Sequence, residues 1–339
     1  MKVCIFDKTI SEQDIAKLNE LGGEALCCCV TDADSFPHAV YECDILIVLR
    51  SDLRLEAKTI SKMKNCFAII RASVGYDNID IIAAGKQGIC VFNVPDYGTA
   101  DVADHVVALF LSYIKRICIF NDCLHGQGQI WNPLPGNMPH RISTLKFGIV
   151  GLGRIGSSVA LRMRAFGVEI FYYDPYLPDG YEQVFMVHRV SELQELFEIC
   201  DVISIHTPLT SETEGMITLS LLSKSKKRPI IINCARGKII ANATIIESLK
   251  QNLVEAYLLD TIEIEPIKSS DDIYIMANQD DYRNRLLITP HAASYDIESR
   301  RDMHTKAICI VEKIFNGKEV GNCVNKQYLT SYRKNIKIL

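Results

Sequence analysis

The sequence predicts an α/β fold of two domains built from parallel sheets, and three observations support this. Short apolar runs rich in β-branched residues alternate with helix-length segments along the chain, as in sheets whose strands are joined by helices. The apolar run at 147–150 leads into a glycine-rich turn that opens a helical segment. The length of 339 residues, 48% of them hydrophobic and 23% charged, is sufficient for two domains with sizeable cores.

The first series of elements lies in the N-terminal part of the chain, with predicted strands at 3–6, 25–30, 45–49 and 67–70. A helix is predicted at 12–21, because a Gly-Gly stop signal follows it. A longer helix is predicted from Ala100 to about Phe120, with Thr99 as its N-cap. The segment 126–140 is rich in Gly, Pro and Asn, which predicts a loop and a crossing between domains.

The second series starts near Leu145 and has stronger strand patterns, at 147–150, 168–173, 202–205, 229–233, 256–259 and 286–289. Helix-length segments separate these runs, so parallel strands are predicted here as well. The tail at 332–339 is short and basic, and we expect it to fray.

Charge and hydropathy exclude several classes of protein. The formal net charge is −4 and no basic block stands out, so a nucleic-acid-binding surface is not expected. The apolar run that ends at Asp7 is too short for a signal peptide. The apolar stretch 106–120 is interrupted by Ser112, Lys115 and Arg116, which favours a buried helix over a membrane span. We therefore expect a cytoplasmic protein that binds neither nucleic acid nor membrane.

Cysteine and histidine usage predicts no metal site. The 13 cysteines contain no CxxC pair and no Cys/His spacing that suits zinc. Most of them lie within apolar runs, so we interpret them as small buried hydrophobic residues in a reducing compartment. His105, in the predicted long helix, and His206, after a predicted strand, are interpreted as structural.

Residues 151–156 form the pattern G-x-G-x-x-G in the setting of a dinucleotide site. A strand precedes it, a helix follows it, and the next strand ends at Asp174, 18 residues after Gly156. Gly151 permits the tight turn, Gly153 lets the backbone approach a pyrophosphate, and Gly156 brings helix and strand together. Asp174 can accept hydrogen bonds from the adenosine ribose, and its charge favours NAD over NADP. The alternatives are a turn without a ligand and, for Asp174, a solvated strand end.

Three ionisable residues follow the ends of consecutive predicted strands, where open α/β sheets bind ligands. Arg236 can hold a substrate carboxylate and polarise the adjacent carbonyl. His291 can give the carbonyl oxygen a proton as hydride arrives, or take the proton back in oxidation. Glu265 can bond to the other imidazole nitrogen, fix its tautomer and raise its pKa. Each alone has an ordinary structural explanation, but together they predict hydride transfer at the second carbon of a small 2-oxo or 2-hydroxy acid.

The chain resembles the D-isomer-specific 2-hydroxyacid dehydrogenase family over most of its length. The matching motifs occur in the family order: SVGYDNID (73–80), NVPDYGTADVADH (93–105), GIVGLGRIG (148–156), YDPY (173–176), HTPLT (206–210), NCARGKII (233–240), LLDTIEIEP (258–266) and TPHAA (289–293). The resemblance implies an NAD-dependent D-2-hydroxyacid dehydrogenase that catalyses reversible hydride transfer between NAD(H) and a small 2-oxo or 2-hydroxy acid. The Arg-Glu-His triad of the family falls on Arg236, Glu265 and His291.

The family fold implies two Rossmann-like or flavodoxin-like doubly wound domains with the active site in the cleft between them. Residues 1–100 and 294–339 would form a discontinuous substrate domain, and residues 101–293 an NAD-binding domain through which homodimers form. The backbone N–H groups of Val74 and Gly75 would meet the substrate carboxylate. Beyond the glycine turn and Asp174, the implied NAD contacts are Val102, Arg154, Ile155, Thr207, Pro208, Cys234, Ala235 and Asp260.

Within the family, the chain is most similar to the C-terminal binding protein branch, through the pattern RxxxGYDNIDIxxAG from Arg71, the run YYDPYLPDG and the segment NCVNKQYLT. In that branch the arginine at this position helps to bind an oxo acid. The branch carries a tryptophan after HAA, whereas this chain has Ser294, which predicts a more open or more polar pocket. The branch also implies the alternative function, an NAD(H)-gated dimeric interaction protein of the corepressor type.

Overall fold

The computed structural model describes residues 1–6, 10–28, 36–49, 53–125, 138 and 140–339. The chain divides into two units, one formed by Met1–Gly98 with Asp296–Leu339 and the other by Thr99–Tyr295. The boundaries expected from the sequence, after residue 100 and before residue 294, differ slightly from these. The assignment of one unit to the substrate and the other to NAD stays a prediction.

The first unit contains a parallel sheet with the strand order β2-β1-β3-β4-β5. Its strands are β1 (Lys2–Phe6), β2 (Glu24–Cys27), β3 (Ile45–Val48), β4 (Ala68–Arg71) and β5 (Cys90–Asn93). The sequence predicted the first four and missed β5. The end of the predicted strand 25–30 lies outside the described residues. Because both faces of a parallel sheet are covered, every residue of the central strands β3 and β4 is buried, instead of every second one.

Helices cover both faces of this sheet. The N-terminal ones are α1 (Glu12–Glu20), α2 (His38–Glu42), α3 (Ala57–Ile60) and α4 (Ile81–Lys86). Successive residues of β1 point to opposite faces, with Val3 and Ile5 in one core and Cys4 and Phe6 in the other. The first unit is therefore doubly wound.

The second unit contains a parallel sheet with the order β12-β11-β10-β9-β6-β7-β8. Its strands are β6 (Lys146–Val150), β7 (Glu169–Tyr173), β8 (His188–Arg189), β9 (Val202–Ile205), β10 (Ile230–Asn233), β11 (Ala256–Leu259) and β12 (Leu286–Ile288). Its helices are α5 (Thr99–Ile114), α6 (Ile117–His125), α7 (Arg154–Arg164), α8 (Tyr181–Phe185), α9 (Leu193–Ile199), α10 (Leu219–Ser223), α11 (Asn242–Lys250) and α12 (Asp272–Ala277). Short 3₁₀ turns occur at Ile142–Thr144 and Gly237–Ile239.

The predicted long helix from Ala100 to about Phe120 is wrong, because two helices occupy this region. Arg116 lies between α5 and α6 with a φ of 56°, a left-handed conformation that ends α5. Thr99 does not cap α5 by a side-chain bond, since its buried Oγ1 has no hydrogen-bond partner among the described residues. Most of the predicted loop 126–140 lies outside the described residues. None of the described helices combines the length and the hydropathy needed to cross a membrane.

The chain returns to the first unit in α13 (Ile297–Phe315), which Asp296 caps by accepting a hydrogen bond from the Ser299 N–H. Its buried face packs Ala307 and Val311 against the core of the N-terminal strands. The tail does not fray as expected. Ile336 is buried, and the Arg333 guanidinium donates to the carbonyl oxygen of Cys66 at 2.9 Å.

Candidate active site

The predicted site residues of the second unit follow the carboxyl ends of its parallel strands. Gly151 follows β6, Asp174 follows β7, Thr207 lies just beyond β9, Arg236 beyond β10 and His291 beyond β12. The strand order reverses between β9 and β6, which are neighbours in the sheet. Such a reversal opens a crevice at the carboxyl edge, where α/β sheets of this type bind ligands.

The glycine turn has the geometry that its motif predicts. Gly151 has a φ of +89°, in the left-handed region that favours glycine. A Cβ added to Gly156 would lie 2.1 Å from the carbonyl oxygen of Gly151, so α7 can approach the turn only with glycine there. A Cβ at Gly153 would meet no described atom within 4 Å. Gly153 is also the N-cap of α7 and offers no side-chain cap, so the first turn of α7 presents its N–H groups to this open space.

Asp174 is bonded to the glycine turn. Its Oδ2 accepts a hydrogen bond from the Leu152 N–H at 3.0 Å, and its Oδ1 accepts one from the Tyr176 N–H, also at 3.0 Å. Each carboxylate oxygen has a further lone pair available. The sequence predicted Asp174 as a ribose ligand but not as a brace for the turn.

The residues around the turn fit a dinucleotide. Thr207 Oγ1 is buried and has no hydrogen-bond partner among the described residues. A buried hydroxyl without a partner is unfavourable, so this atom is suited to a polar group of a ligand. Thr207 adjoins the glycine turn, since a Cβ added to Gly151 would lie 3.0 Å from Thr207 Cγ2.

His291 and Glu265 form the closest charged contact of the site. His291 Nδ1 lies 2.7 Å from Glu265 Oε2, and Glu265 Oε1 accepts a hydrogen bond from the Ile262 N–H at 3.1 Å. The hydrogen bond to Glu265 raises the pKa of His291, while desolvation opposes the rise and the charge of Glu265 reinforces it. Nε2 is the ring nitrogen that faces away from Glu265, and the side chain is 43% exposed.

Arg236 is close enough to His291 for its positive charge to oppose the rise in the pKa of that imidazole. It lies just after β10, and its backbone carbonyl accepts a hydrogen bond from the Asn233 side-chain amide at 2.9 Å. Its Nη1 donates to the Ala235 carbonyl at 2.6 Å. The structure therefore brings Arg236, Glu265 and His291 together, as the sequence predicted from their positions after strands.

Asp260 lies beneath the segment that carries His291. Its carboxylate is buried and accepts hydrogen bonds from the Ala292 N–H at 2.8 Å, from the Ala293 N–H at 2.9 Å and from the Thr289 hydroxyl at 2.6 Å. The sequence interpretation made Asp260 a cofactor contact and did not predict this set of donors. No pattern in the sequence pairs Asp260 with a loop that follows the next strand.

Other ionisable groups near this edge are held neutral by burial. Burial lowers the pKa of His206 to about 3, and its Nε2 lies 2.8 Å from Ser204 Oγ. Burial also raises the pKa of the Cys234 thiol. No group of three metal-ligating side chains occurs in the part of the chain that the structure describes.

The remaining predicted substrate residues are divided between the units. Arg71 ends β4 in the first unit, where its Nη1 donates to the carbonyl oxygens of Val48 and Leu49 at 3.0 and 2.8 Å. Val74 and Gly75 follow in the same unit. Ser294 belongs to the second unit and is half-buried.

Comparison with known proteins identifies the family. Residues 107–293 match the NAD binding domain of D-isomer specific 2-hydroxyacid dehydrogenase. This chain belongs to that family. It is 31% identical to D-3-phosphoglycerate dehydrogenase of Methanocaldococcus jannaschii over 92% of its own length and 57% of that protein. It is 33% identical to glyoxylate reductase of Korarchaeum cryptofilum over 78% of its own length and 77% of that protein.

Solved structures of similar proteins share the fold. The crystal structure of D-lactate dehydrogenase from Aquifex aeolicus, complexed with NAD and lactic acid, superposes with a TM-score of 0.81 at 25% identity. The superposition covers 94% of this chain and 96% of that one. The predicted fold class, two doubly wound parallel-sheet domains, and the predicted family are thus confirmed. The chain spans about half the length of curated relatives it matches, 57% and 44% of two phosphoglycerate dehydrogenases. The similarity to the C-terminal binding protein branch stays a prediction.

Proposed function

We propose that this chain is an NAD-dependent D-2-hydroxyacid dehydrogenase that reversibly interconverts a small 2-oxo acid and the corresponding 2-hydroxy acid. The observation that carries the proposal is the 2.7 Å contact between His291 Nδ1 and Glu265 Oε2 beside the charge of Arg236. Family membership and the names of the relatives, which include a glyoxylate reductase and a D-lactate dehydrogenase, support it.

The cofactor residues are those of the glycine turn and its neighbours. These residues would hold NAD, which would supply the acceptor for the hydride from the second carbon of the acid and, as NADH, its donor. The first turn of α7 binds the phosphates, with Gly153, Arg154 and Ile155 at the helix start. Asp174 accepts hydrogen bonds from the adenosine ribose, and its negative charge disfavours a 2′-phosphate. Val102, Thr207, Pro208, Cys234, Ala235 and Asp260 are the further proposed contacts.

His291 moves the proton of the reaction. Protonated at Nε2, it donates to the substrate carbonyl oxygen during reduction, and as a neutral imidazole it removes the hydroxyl proton during oxidation. Glu265 keeps the imidazole oriented through Nδ1 and favours its protonated form, because a carboxylate accepts this hydrogen bond. Arg236 holds the substrate carboxylate as a two-pronged donor and increases the polarisation of the adjacent carbonyl.

The proposals about substrate residues, assembly and location are inferred from the sequence alone. Arg71, Val74, Gly75 and Ser294 stay the proposed substrate residues beside Arg236. A homodimer through the NAD-binding domain and a cytoplasmic location are proposed with them.

Turnover with a panel of 2-oxo acids tests the proposal. NADH oxidation is followed with glyoxylate, pyruvate, hydroxypyruvate and phenylpyruvate, and binding of NADH is followed by its fluorescence. His291→Gln and Arg236→Ala should each abolish turnover and leave NADH binding largely intact. His188→Gln is the matched control, because the side chain of His188 is 61% exposed on β8 and contacts Glu169 instead of the triad. Failure with every acid while NADH binds would contradict the proposal and favour the alternative, an NAD(H)-gated dimeric interaction protein.

A further inference from the structure

The backbone of His291 adopts a conformation that an isolated chain avoids. Its φ is +52°, in the left-handed region, where a residue with a Cβ is disfavoured. Such a conformation persists only where surrounding contacts enforce it. The His291 N–H donates to the carbonyl oxygens of Asp260 at 3.0 Å and Thr289 at 2.9 Å, which fixes the residue on its N-terminal side.

The Asp260 carboxylate fixes the C-terminal side of the same residue. It accepts from the N–H groups of Ala292 and Ala293, the two residues after His291, at 2.8 and 2.9 Å. Its side chain is only 1% exposed, so these contacts do not compete with water. The direction of the imidazole toward Glu265 therefore depends on where this carboxylate lies.

The Thr289 hydroxyl fixes the carboxylate in turn. Thr289 Oγ1 lies 2.6 Å from Asp260 Oδ1, and a hydroxyl has one proton to donate. The proton goes to the carboxylate, since the other acceptor near the hydroxyl, the Leu259 carbonyl oxygen, lies farther away at 3.4 Å. Thr289 Oγ1 must then accept from its other close partner, which is His105 Nε2 at 3.1 Å.

His105 is thus a donor through Nε2. The same nitrogen lies 3.6 Å from Asp260 Oδ1, so the nearby carboxylate favours a proton on it. His105 belongs to α5, between the buried residues Ala103 and Val106, and its side chain is 23% exposed. It precedes the residues 107–293 that match the family NAD-binding domain.

We propose that His105 is a positioning residue for the candidate active site, which fixes the His291 segment through the Thr289 hydroxyl and the Asp260 carboxylate. The inference rests on the proposed function for its kinetic consequence. His105 touches neither His291 nor Glu265 in these contacts and acts only through the segment 289–293. It orients the imidazole without exchanging a proton with the substrate.

Two substitutions separate this role from simple packing. His105→Leu fills similar space and removes the donor, whereas His105→Gln places an amide N–H donor on a side chain that can reach Thr289. We expect His105→Leu to lower kcat about tenfold to a hundredfold, as for displaced reacting groups, with little change in the KM for the oxo acid. His105→Gln should restore kcat to within a few-fold of the wild type. His188→Leu, which removes an exposed imidazole from the same unit, should change nothing.

Measurements without turnover test the contact itself. In the wild type, ¹⁵N NMR should show His105 carrying a proton on Nε2. Amide hydrogen exchange at Ala292 and Ala293 should accelerate in His105→Leu and stay slow in His105→Gln. If the wild type fails to reduce any oxo acid, the proposed function fails, and the exchange rates still decide the role of His105. A neutral His105 protonated only on Nδ1, unchanged exchange in His105→Leu, or equal losses of kcat in the Leu and Gln variants would overturn the inference.

Discussion

Replacing Gly237 with alanine is predicted to disturb the triad from outside it. Gly237 follows Arg236, and a Cβ added there would lie 1.8 Å from the carbonyl carbon and oxygen of Ile262 and 2.5 Å from the nitrogen of Glu263. Ordinary contact begins near 3.4 Å, so one of the two backbones must move by about 1.6 Å. Neither can yield as a flexible side chain would, because the obstructing atoms are backbone.

The displacement reaches the site by two routes. The Ile262 N–H holds Glu265 Oε1 at 3.1 Å, and Arg236 is the direct neighbour of Gly237. A misplacement of about 1 Å in a catalytic group costs about a hundredfold in rate, so we expect a loss of kcat/KM of this order. Overpacking of a filled site costs about 1–3 kcal/mol of unfolding free energy. In a unit the size of Thr99–Tyr295, each kcal/mol of unfolding free energy that is lost lowers Tm by about 2–4 °C.

The assay compares Gly237→Ala with Gly321→Ala in thermal unfolding and in oxo-acid reduction by NADH. Gly321 is a matched control, since an added Cβ there would meet only Leu339 Cδ1 at 3.8 Å within the described residues. The control should keep both the Tm and the activity of the wild type. Wild-type stability and turnover in Gly237→Ala would refute the reasoning, because they would mean that the two backbones are not in contact.

Two further predictions concern protonation and the cofactor. Glu265→Gln should lower the pKa of His291, since the hydrogen bond to that carboxylate is the largest cause that raises it. Reduction needs the protonated imidazole, so kcat/KM for reduction should begin to decline at a lower pH than in the wild type. Oxidation needs the neutral imidazole, so kcat/KM for oxidation should begin to rise at a lower pH. Unshifted pH profiles in both directions would contradict this. Gly153→Ala should fold normally, because the added Cβ meets no described atom within 4 Å. The loss of one phosphate hydrogen bond worth about 1.5–3 kcal/mol should weaken NADH binding about tenfold to a hundredfold. Fluorescence titration measures this affinity, and an unchanged value would place the phosphates elsewhere.

The features that sequence predicts well here are local ones. The glycine turn is encoded within six residues, and its φ at Gly151 and the close approach of Gly156 follow from the absence of a Cβ. Arg236, Glu265 and His291 could be predicted to lie near one another because strand ends meet at one edge of a parallel sheet, so their position in the chain predicts their position in space.

Features that depend on distant contacts escaped prediction. The break at Arg116 is a single left-handed residue in a stretch with helical patterning, and no glycine or proline marks it. The tail was expected to fray from its composition, yet Ile336 packs into the core of the first unit and Arg333 bonds to residues near β4. The donors that converge on Asp260 come from a loop that follows another strand, so their pairing exists only in the folded chain.

The return of the chain to its first unit affects the order in which the protein folds during synthesis. The N-terminal strands leave the ribosome first, but α13, which covers one face of their sheet, is made only after the whole of Thr99–Tyr295. Domains fold as they are synthesised, so the second unit can complete its core while the first still exposes apolar residues such as Val3, Ile45 and Ile70. The first unit to be translated is therefore the last to be finished, and a nascent chain halted before α13 carries a folded second unit and an N-terminal sheet that is prone to aggregate.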